Sequence, residues 1–264
     1  MTIKMIPTVK TKPKSLPPAV RLRDGFVSDL PNESAKLDTI ASFSGITTNA
    51  KPNKKTGPMV QIRHQVRGIL PHVAIETGQD SAVCGSCPLR PFLAKAKQKE
   101  TGEKQAKCYV QTAQGERQVY LQNEAGNYPH LDELPPNQQR EIAQIMAFYG
   151  VRFGAYGDPV SDMESLERVS KMTDKWTGYT HQWRSNNDKL VTDLLMASLD
   201  GPELHEEAKQ AGFRTYRHTA DLTALEGEIQ CLENTKGLPC SQCLLCSGNA
   251  GKGKADIVVN RIPK

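Results

Sequence analysis

Apolar residues in the second half of the chain recur with two alternating periods. From about Asn137 to Tyr149 they follow a helical period, and Gly150 then predicts the end of that helix. Further helices are predicted to begin near Ser161, Asp188 and Pro202. Predicted strands span residues 151–156, 178–183, 194–199, 213–217, 228–232 and 256–261. Because strands that alternate with single helices form parallel βα units, we expect an α/β fold, either a βα-repeat barrel or a partial (TIM-like) barrel.

The first half of the chain is less regular. Residues 1–35 hold five prolines and several lysines with little periodicity, which predicts a flexible basic N-terminal extension. Short apolar runs predict strands at 39–48, 59–66 and 72–76. Residues 36–264 are then expected to form a single α/β metal-binding domain. Its predicted parts are an irregular cysteine loop over 78–111, βα repeats over 137–232 and a C-terminal cysteine cluster over 231–246.

Composition places the chain among ordinary globular proteins. Of its 264 residues, 38% are hydrophobic and 24% are charged. It has no run of about 18 apolar residues, so we expect no membrane contact. The basic N-terminal stretch is not followed by an apolar signal-peptide core, so a cytoplasmic location is expected.

The first cysteine group consists of Cys84, Cys87 and Cys108. Clustered cysteines in a reducing compartment bind metal more often than they form disulfides, and the chain's total of seven is odd. Three thiolates leave one position open. That pattern suits an iron–sulfur cluster with one free iron, or a zinc ion completed by histidine or water.

The second cysteine group consists of Cys231, Cys240, Cys243 and Cys246. Four thiolates satisfy a tetrahedral zinc ion or a fully ligated [4Fe–4S] cluster. The compact C-x2-C-x2-C run resembles the ligand run of bacterial ferredoxins, which favours iron–sulfur over zinc. The alternative for all seven is that they are buried thiols acting as small hydrophobic side chains.

Polar residues follow several predicted strands at their carboxyl ends, where βα folds place their chemistry. Asp158, His181 and Asp200 are the candidate catalytic residues by this criterion. Each also has a structural interpretation. Asp158 could cap the next helix, His181 could be a hydrogen-bonded core residue, and Asp200 could cap a strand end.

Three early cysteines, four late cysteines and βα repeats between them resemble radical S-adenosylmethionine enzymes that carry an auxiliary cluster. The resemblance implies a catalytic [4Fe–4S] cluster on the first cysteine group and an auxiliary cluster on the second. It also implies that Gly157, Asp158 and Pro159 help to bind S-adenosylmethionine. The superfamily's usual spacing is C-x3-C-x2-C, whereas this chain has C-x2-C-x20-C, a wide spacing comparable to that of the carbon–phosphorus lyase subunit.

The chain also resembles a family of uncharacterised proteins of tailed bacteriophages over roughly residues 36–260. This resemblance implies a viral origin and a location in the host cytoplasm, and it brings no activity. The motifs that carry it are Cys84-Gly85-Ser86-Cys87-Pro88, Cys108-Tyr109, Tyr156-Gly157-Asp158-Pro159, Tyr179-Thr180-His181-Gln182-Trp183 and the closing cysteine run.

Charge is uneven along the chain. Residues 1–110 contain 18 Lys plus Arg against 8 Asp plus Glu, a net charge of +10, and residues 111–264 contain 16 against 21, a net charge of −5. A basic half can attract phosphates, so nucleotides or nucleic acid are the expected partners. The alternative is that the N-terminal lysines form a solvated tail.

Two further sets of side chains fit a nucleotide partner. Trp176, Tyr179 and Trp183 could stack a base, and Arg214, Arg217 and His218 could form a phosphate-binding edge. Two competing functions stay open: a zinc-stabilised nucleic-acid-binding protein without catalysis, and a zinc-containing base-exchange enzyme with Asp158 or Asp200 as nucleophile.

Overall fold

The computed structural model describes residues 16–30, 37–46, 53–219 and 223–260. Strands and helices alternate through most of this length, so the chain has the expected α/β architecture. None of the helices in these ranges combines the length and the apolar character needed to span a bilayer.

The first sheet contains strands from both halves of the chain, in the spatial order β1-β2-β3-β4-β5. The first three strands are antiparallel, and β3, β4 and β5 run parallel to one another. These strands are β1 (Ala19–Val27), β2 (Asp38–Ser44), β3 (Val60–Val66), β4 (Val151–Tyr156) and β5 (Trp176–Thr177).

The second sheet is wholly parallel, in the order β6-β7-β8-β10-β9. Its side chains are mostly buried, as is typical of parallel strands that are covered on both faces. Its strands are β6 (Tyr179–Thr180), β7 (Met196–Leu199), β8 (Thr215–Thr219), β9 (Glu228–Gln230) and β10 (Asp256–Asn260).

Gly178 lies where the chain passes from one sheet to the other. It alone separates β5 from β6. Its N–H donates to the Cys246 carbonyl at 3.0 Å and its carbonyl accepts from the Met196 N–H at 3.0 Å. The described strand pairings therefore form two series, β1 to β5 and β6 to β9, and they include no pairing of β5 with β6 or of β1 with β9.

The helices connect and cover these strands. The long predicted helix is confirmed as α5, which buries Ile142, Ile145 and Met146 and ends at Gly150. The helices are α1 (Pro71–Thr77), α2 (Ser81–Cys84), α3 (Pro91–Thr101), α4 (Arg117–Glu124), α5 (Pro136–Tyr149), α6 (Met163–Ser170), α7 (Lys189–Leu194), α8 (His205–Gln210), α9 (Leu232–Lys236) and α10 (Cys240–Cys243). Short 3-10 turns span Leu131–Glu133, Pro159–Ser161 and Pro202–Leu204, and a π-helical turn spans Thr112–Glu116.

The prediction of a strand at residues 72–76 is wrong, because this segment belongs to helix α1. Pro71 occupies the first turn, where its missing N–H costs nothing, and Gly78 ends the helix in the left-handed region at φ 83°. A short apolar run does not distinguish a strand from a helix. The loop predicted over 78–111 likewise contains helices α2 and α3.

The prediction of a flexible arm over residues 1–35 is wrong for Ala19–Val27, which form the edge strand β1. Val20 and Leu22 are buried against the core, so alternating apolar positions outweigh the prolines around them. Residues 1–15 and 31–36 lie outside the described residues. The strand predicted at 39–48 ends at Ser44. Residues 47–48 lie outside the described residues.

Candidate functional site

The thiols of the first cysteine group border one cavity of about 120 Å³. Helix α2 ends at Cys84, and the Cys87 N–H donates to the Cys84 carbonyl at 3.1 Å. The long interval before Cys108 is occupied mainly by helix α3. The chain then returns, and the Cys108 N–H donates to the Leu89 carbonyl at 2.7 Å. The segment between Cys87 and Cys108 therefore leaves the site through α3 and returns, so that Cys108 lies beside the Cys84–Cys87 turn.

Gln182 fixes the Cys84–Cys87 turn. Its Oε1 accepts from the Ser86 hydroxyl at 2.9 Å and from the Ser86 N–H at 3.2 Å, and its Nε2 donates to the Cys84 carbonyl at 2.8 Å. Gly85 has a φ of 51°, and a Cβ there would lie 2.6 Å from Gln182 Oε1. The turn thus depends on a glycine and on a side chain from the far end of β6.

A buried arginine holds the other side of the same loop. The Arg90 guanidinium is 2% exposed and donates to Asp80 Oδ1 at 3.0 Å. It also donates to the carbonyls of Gly78 at 2.6 Å and Gly85 at 3.0 Å. The ion pair compensates both buried charges. The bonds to Gly78 and Gly85 link the start of the loop to the turn between the two cysteines.

Asp158 lies two residues beyond the end of β4 and borders the same cavity. One carboxylate oxygen accepts from the Val160 N–H at 3.3 Å; the other accepts from Thr180 Oγ1 at 3.1 Å and the His181 N–H at 2.9 Å. Asp158 therefore does cap the turn that follows. Burial raises the pKa of Asp158 to about 6. The hydrogen bonds from these donors favour the ionised carboxylate and oppose that rise.

His181 follows β6 directly, and its side chain reaches the same cavity. Burial lowers its pKa to about 4, so the imidazole is neutral at physiological pH. Its Nε2 lies 3.8 Å from Asp200 Oδ2, beyond hydrogen-bonding distance, and has no hydrogen-bond partner among the described residues. Asp200 thus lies next to His181 and is not among the described residues that border the cavity.

Gly157 allows β4 to approach β3 closely. Its φ is 76°, and a Cβ there would lie 2.8 Å from His64 Cβ and 2.9 Å from the His64 carbonyl oxygen. The next N–H, that of Asp158, donates to the Val83 carbonyl at 2.7 Å, which links this strand end to α2. Pro159 is buried and begins the following 3-10 turn. Gly157 borders the cavity, whereas Pro159 is not among its described lining residues.

The second cysteine group lies over the second sheet. The Cys231 N–H donates to the Val258 carbonyl at 2.8 Å, and the Cys240 N–H donates to the Lys55 carbonyl at 3.0 Å. Between the last two cysteines, Leu244 adopts the left-handed conformation at φ 54°, which is costly for a leucine. The Tyr179 hydroxyl is hydrogen-bonded to the Cys246 sulfur.

All seven cysteines lie in the described residues, and none of them forms a disulfide there. Burial raises the pKa of Cys84 and Cys87 well above the ordinary value, and the charges of the other thiols in the first group contribute. Burial raises the pKa of Cys240 to about 11 and also raises that of Cys246, with contributions from the other members of the second group. Within the described ranges, no three His, Cys, Asp or Glu side chains are arranged to hold a single metal ion.

A larger opening of about 840 Å³, here called the central cavity, is bordered by both Cys108 and Cys240. Aromatic rings form one wall: Tyr179 and Tyr216 lie 3.9 Å apart between centroids, and the His218 ring stands edge-on to Tyr216 at 5.2 Å. The central cavity shares Cys108, Tyr179, Tyr216 and His218 with the smaller cavity, so the two are neighbours.

The prediction of a phosphate-binding edge is wrong for two of its three residues. Arg217 is buried and pairs with both carboxylate oxygens of Glu228 at 2.9 and 2.6 Å. Arg214 is buried and donates to backbone carbonyls, including that of Leu245 at 3.0 Å. His218 does border the central cavity.

Two of the three aromatic residues predicted to stack a base belong to the core. Trp183 is 2% exposed, and Trp176 is buried with its indole N–H donating to the Leu194 carbonyl at 2.8 Å. Tyr179 alone borders the cavities. Arg152 was not among the predicted site residues. Its position as the lone charge in the apolar segment of β4 could have indicated a role for it.

Comparisons of this chain with protein-family models, with curated proteins and with solved structures found no match.

Proposed function

We propose that this protein is an iron–sulfur enzyme of the radical S-adenosylmethionine type, built on a partial βα barrel and encoded by a bacteriophage. The observation that carries the proposal is the shared cavity of Cys84, Cys87 and Cys108, which Asp158 and His181 also border. Chemistry at the carboxyl ends of adjacent parallel strands is the common pattern in such folds.

The donor set of the first cysteine group fits a [4Fe–4S] cluster with one open iron. Three thiols lie close enough for their charges to interact, and a cluster binds each thiolate through a different iron, so convergence on one point is not required. Binding of the cationic cluster irons would offset the cost of ionising these buried thiols. When bound, such a cluster supplies an electron to the sulfonium of S-adenosylmethionine.

Asp158 is suited to hold the amino group of S-adenosylmethionine. Its carboxylate is held by donors from Val160, Thr180 and His181, with a further stabilising contribution from the Gln182 N–H, and the positive charge of an amino group would add a charge-assisted partner to this buried group. With a pKa of about 6 it is mostly ionised at pH 7. Neutral His181 borders the cavity and would act there as a proton acceptor, and Asp200, 3.8 Å from its Nε2, would stabilise the charged imidazole.

The second cysteine group would hold an auxiliary cluster through Cys231, Cys240, Cys243 and Cys246. The pKa values of Cys240, Cys243 and Cys246 are each raised in part by neighbouring thiols of this group, and the Tyr179 hydroxyl is hydrogen-bonded to the Cys246 sulfur. A hydrogen bond to a ligating sulfur raises a cluster's reduction potential, so Tyr179 would tune this centre.

The test is reductive cleavage of S-adenosylmethionine by protein purified without oxygen. Dithionite and S-adenosylmethionine are added, and 5′-deoxyadenosine is measured by chromatography. Release is expected from the parent protein, none from Cys87→Ala, and a readily measured amount from Cys243→Ala, whose first group is intact. Iron-loaded parent protein that releases no 5′-deoxyadenosine would contradict the proposal.

A further inference from the structure

We propose that the central cavity is the substrate site and that it takes a nucleoside phosphate. This inference rests on the proposed function only in naming the ligand a substrate, since the binding itself is argued from the lining residues. The central cavity reaches from Cys108 of the first cysteine group to Cys240 of the second, so a ligand inside it would lie beside both groups. Its volume of about 840 Å³ falls within the range typical of small-molecule sites.

The lining of the central cavity is cationic. Lys55, Lys104, Lys107 and Arg152 border it, and no aspartate or glutamate is found among its described lining residues. Lys104 and Lys107 are exposed at its rim, whereas Arg152 is half-buried and donates to the Tyr109 hydroxyl at 3.0 Å. Lys55 lies 3.9 Å from Glu233 and is partly neutralised. Such a cluster favours a ligand with more than one negative charge, as a phosphate has at pH 7.

The other wall of the central cavity is aromatic. The Tyr179 and Tyr216 rings lie against each other, with His218 edge-on to Tyr216 and 6.5 Å from the Tyr109 ring. Aromatic side chains stack on the face of any base, whatever its sequence identity. A phosphate alone would leave this wall unused, and an uncharged nucleoside would leave the lysines unused.

Amide side chains supply groups that can read the edge of a base. Gln105 and Asn260 both border the central cavity. The Gln105 Nε2 donates to Thr101 and Glu103, so its Oε1 is the atom that would accept from a base, whereas the Asn260 amide offers both a donor and an acceptor. Cations, aromatic rings and amides in one space match the three parts of a nucleotide. The ligand is therefore a free nucleotide or a nucleotide within a single strand, which share this chemistry.

Calorimetric titration of the anaerobically purified full-length protein tests the inference. The probes are the four ribonucleoside monophosphates, the corresponding nucleosides, inorganic phosphate and a single-stranded 12-nucleotide DNA. At least one monophosphate or the 12-nucleotide strand is expected to bind at least about tenfold more tightly than its nucleoside and than inorganic phosphate. Binding by the strand alone would identify the polymer as the source of the nucleotide.

The matched variants are Lys104→Ala/Lys107→Ala at the cavity and Lys95→Ala/Lys97→Ala on the exposed surface of α3. Both pairs remove the same charge from exposed positions. The first is expected to weaken binding about tenfold, and the second to change it by less than about twofold. Equal losses in both pairs, or no binding by any probe, would overturn the inference.

Iron and sulfide are measured on the same samples. If the protein contains no iron but still binds nucleotide, and only the Lys104→Ala/Lys107→Ala pair weakens that binding, the result would contradict the proposed function and support the central cavity as a nucleotide site. Protein that carries both clusters and cleaves S-adenosylmethionine, yet binds none of the probes, would contradict the cavity alone.

Discussion

At the scale of single residues, Asp158 and His181 have ionisation preferences that burial shifts in opposite directions. Burial raises the pKa of Asp158 from 3.8 to about 6 and lowers that of His181 from 6.5 to about 4. The His181 backbone N–H donates to the Asp158 side-chain carboxylate at 2.9 Å, which links the two residues. A proton-transfer site benefits from neighbouring groups whose pKa values are tuned by their surroundings.

These shifts predict opposing pH effects on the stability of the metal-free protein. The contribution of Asp158 is fully present below pH 3.8 and is lost as the pH rises through about 6. The contribution of His181 is fully present above pH 6.5 and is lost as the pH falls through about 4. Each is worth up to about 3 kcal/mol, so the two largely cancel between pH 4 and 6.5.

Urea denaturation of Asp158→Asn and His181→Gln at pH 4.5 and 6.5 separates the two contributions. Relative to the parent, the free energy of unfolding of Asp158→Asn should rise with pH, and that of His181→Gln should fall. If both variants follow the parent's pH dependence, the two side chains are not buried as described.

At the scale of elements, the crossing at Gly178 positions both cysteine groups. It directs β5 to the first sheet and β6 to the second, and its N–H donates to the Cys246 carbonyl. A Cβ at this position would lie 2.5 Å from Leu195 Cδ2, a side chain that is fully buried in the core. The element boundary is therefore set by a close packing contact as well as by hydrogen bonds.

Gly178→Ala should destabilise the protein by about 1–3 kcal/mol, because the added methyl group overpacks the core. Leu195→Val shortens the opposing side chain, so the double variant should recover part of that loss relative to the sum of the single changes. Chemical denaturation of the three variants measures the coupling. Strictly additive losses would show that Leu195 is not the obstacle.

The regular second half of this architecture was predictable from its periodicity. The boundaries of β4 and the burial along α5 follow directly from their apolar positions, and Asp188 caps α7 as its type suggests. The predictions for short segments were less accurate. Residues 72–76, for example, are too few for a helical and a strand period to be told apart. The break at Gly178 depends on Leu195, a contact that local sequence does not reveal.

The candidate site was predictable in its residue types and less so in its geometry. Asp158 and His181 were found from their positions at strand ends, and both border the cavity with the first cysteine group. Gln182 and Arg152 act through partners far away in sequence, so no local spacing identifies their roles. The partners of Arg90 lie within the same loop, but the sequence does not show that its guanidinium is buried there.

At the scale of the whole molecule, one cysteine from each of the two groups borders the central cavity. The first group is held by α2 and the excursion through α3, and the second by backbone contacts to Lys55 and Val258. The lining between Cys108 and Cys240 includes both cationic and aromatic side chains. Under the proposed function, a substrate in the central cavity would lie beside both cysteine groups.

Metal and sulfide analysis of anaerobically purified protein tests the central claim most directly, with variants that replace the cysteines of one group by alanine. The account predicts about eight iron atoms and about eight sulfides per chain, falling to about half in Cys84→Ala/Cys87→Ala/Cys108→Ala and in Cys231→Ala/Cys240→Ala/Cys243→Ala/Cys246→Ala. Stoichiometric zinc without sulfide in the parent protein, or iron that neither set of substitutions reduces, would contradict it.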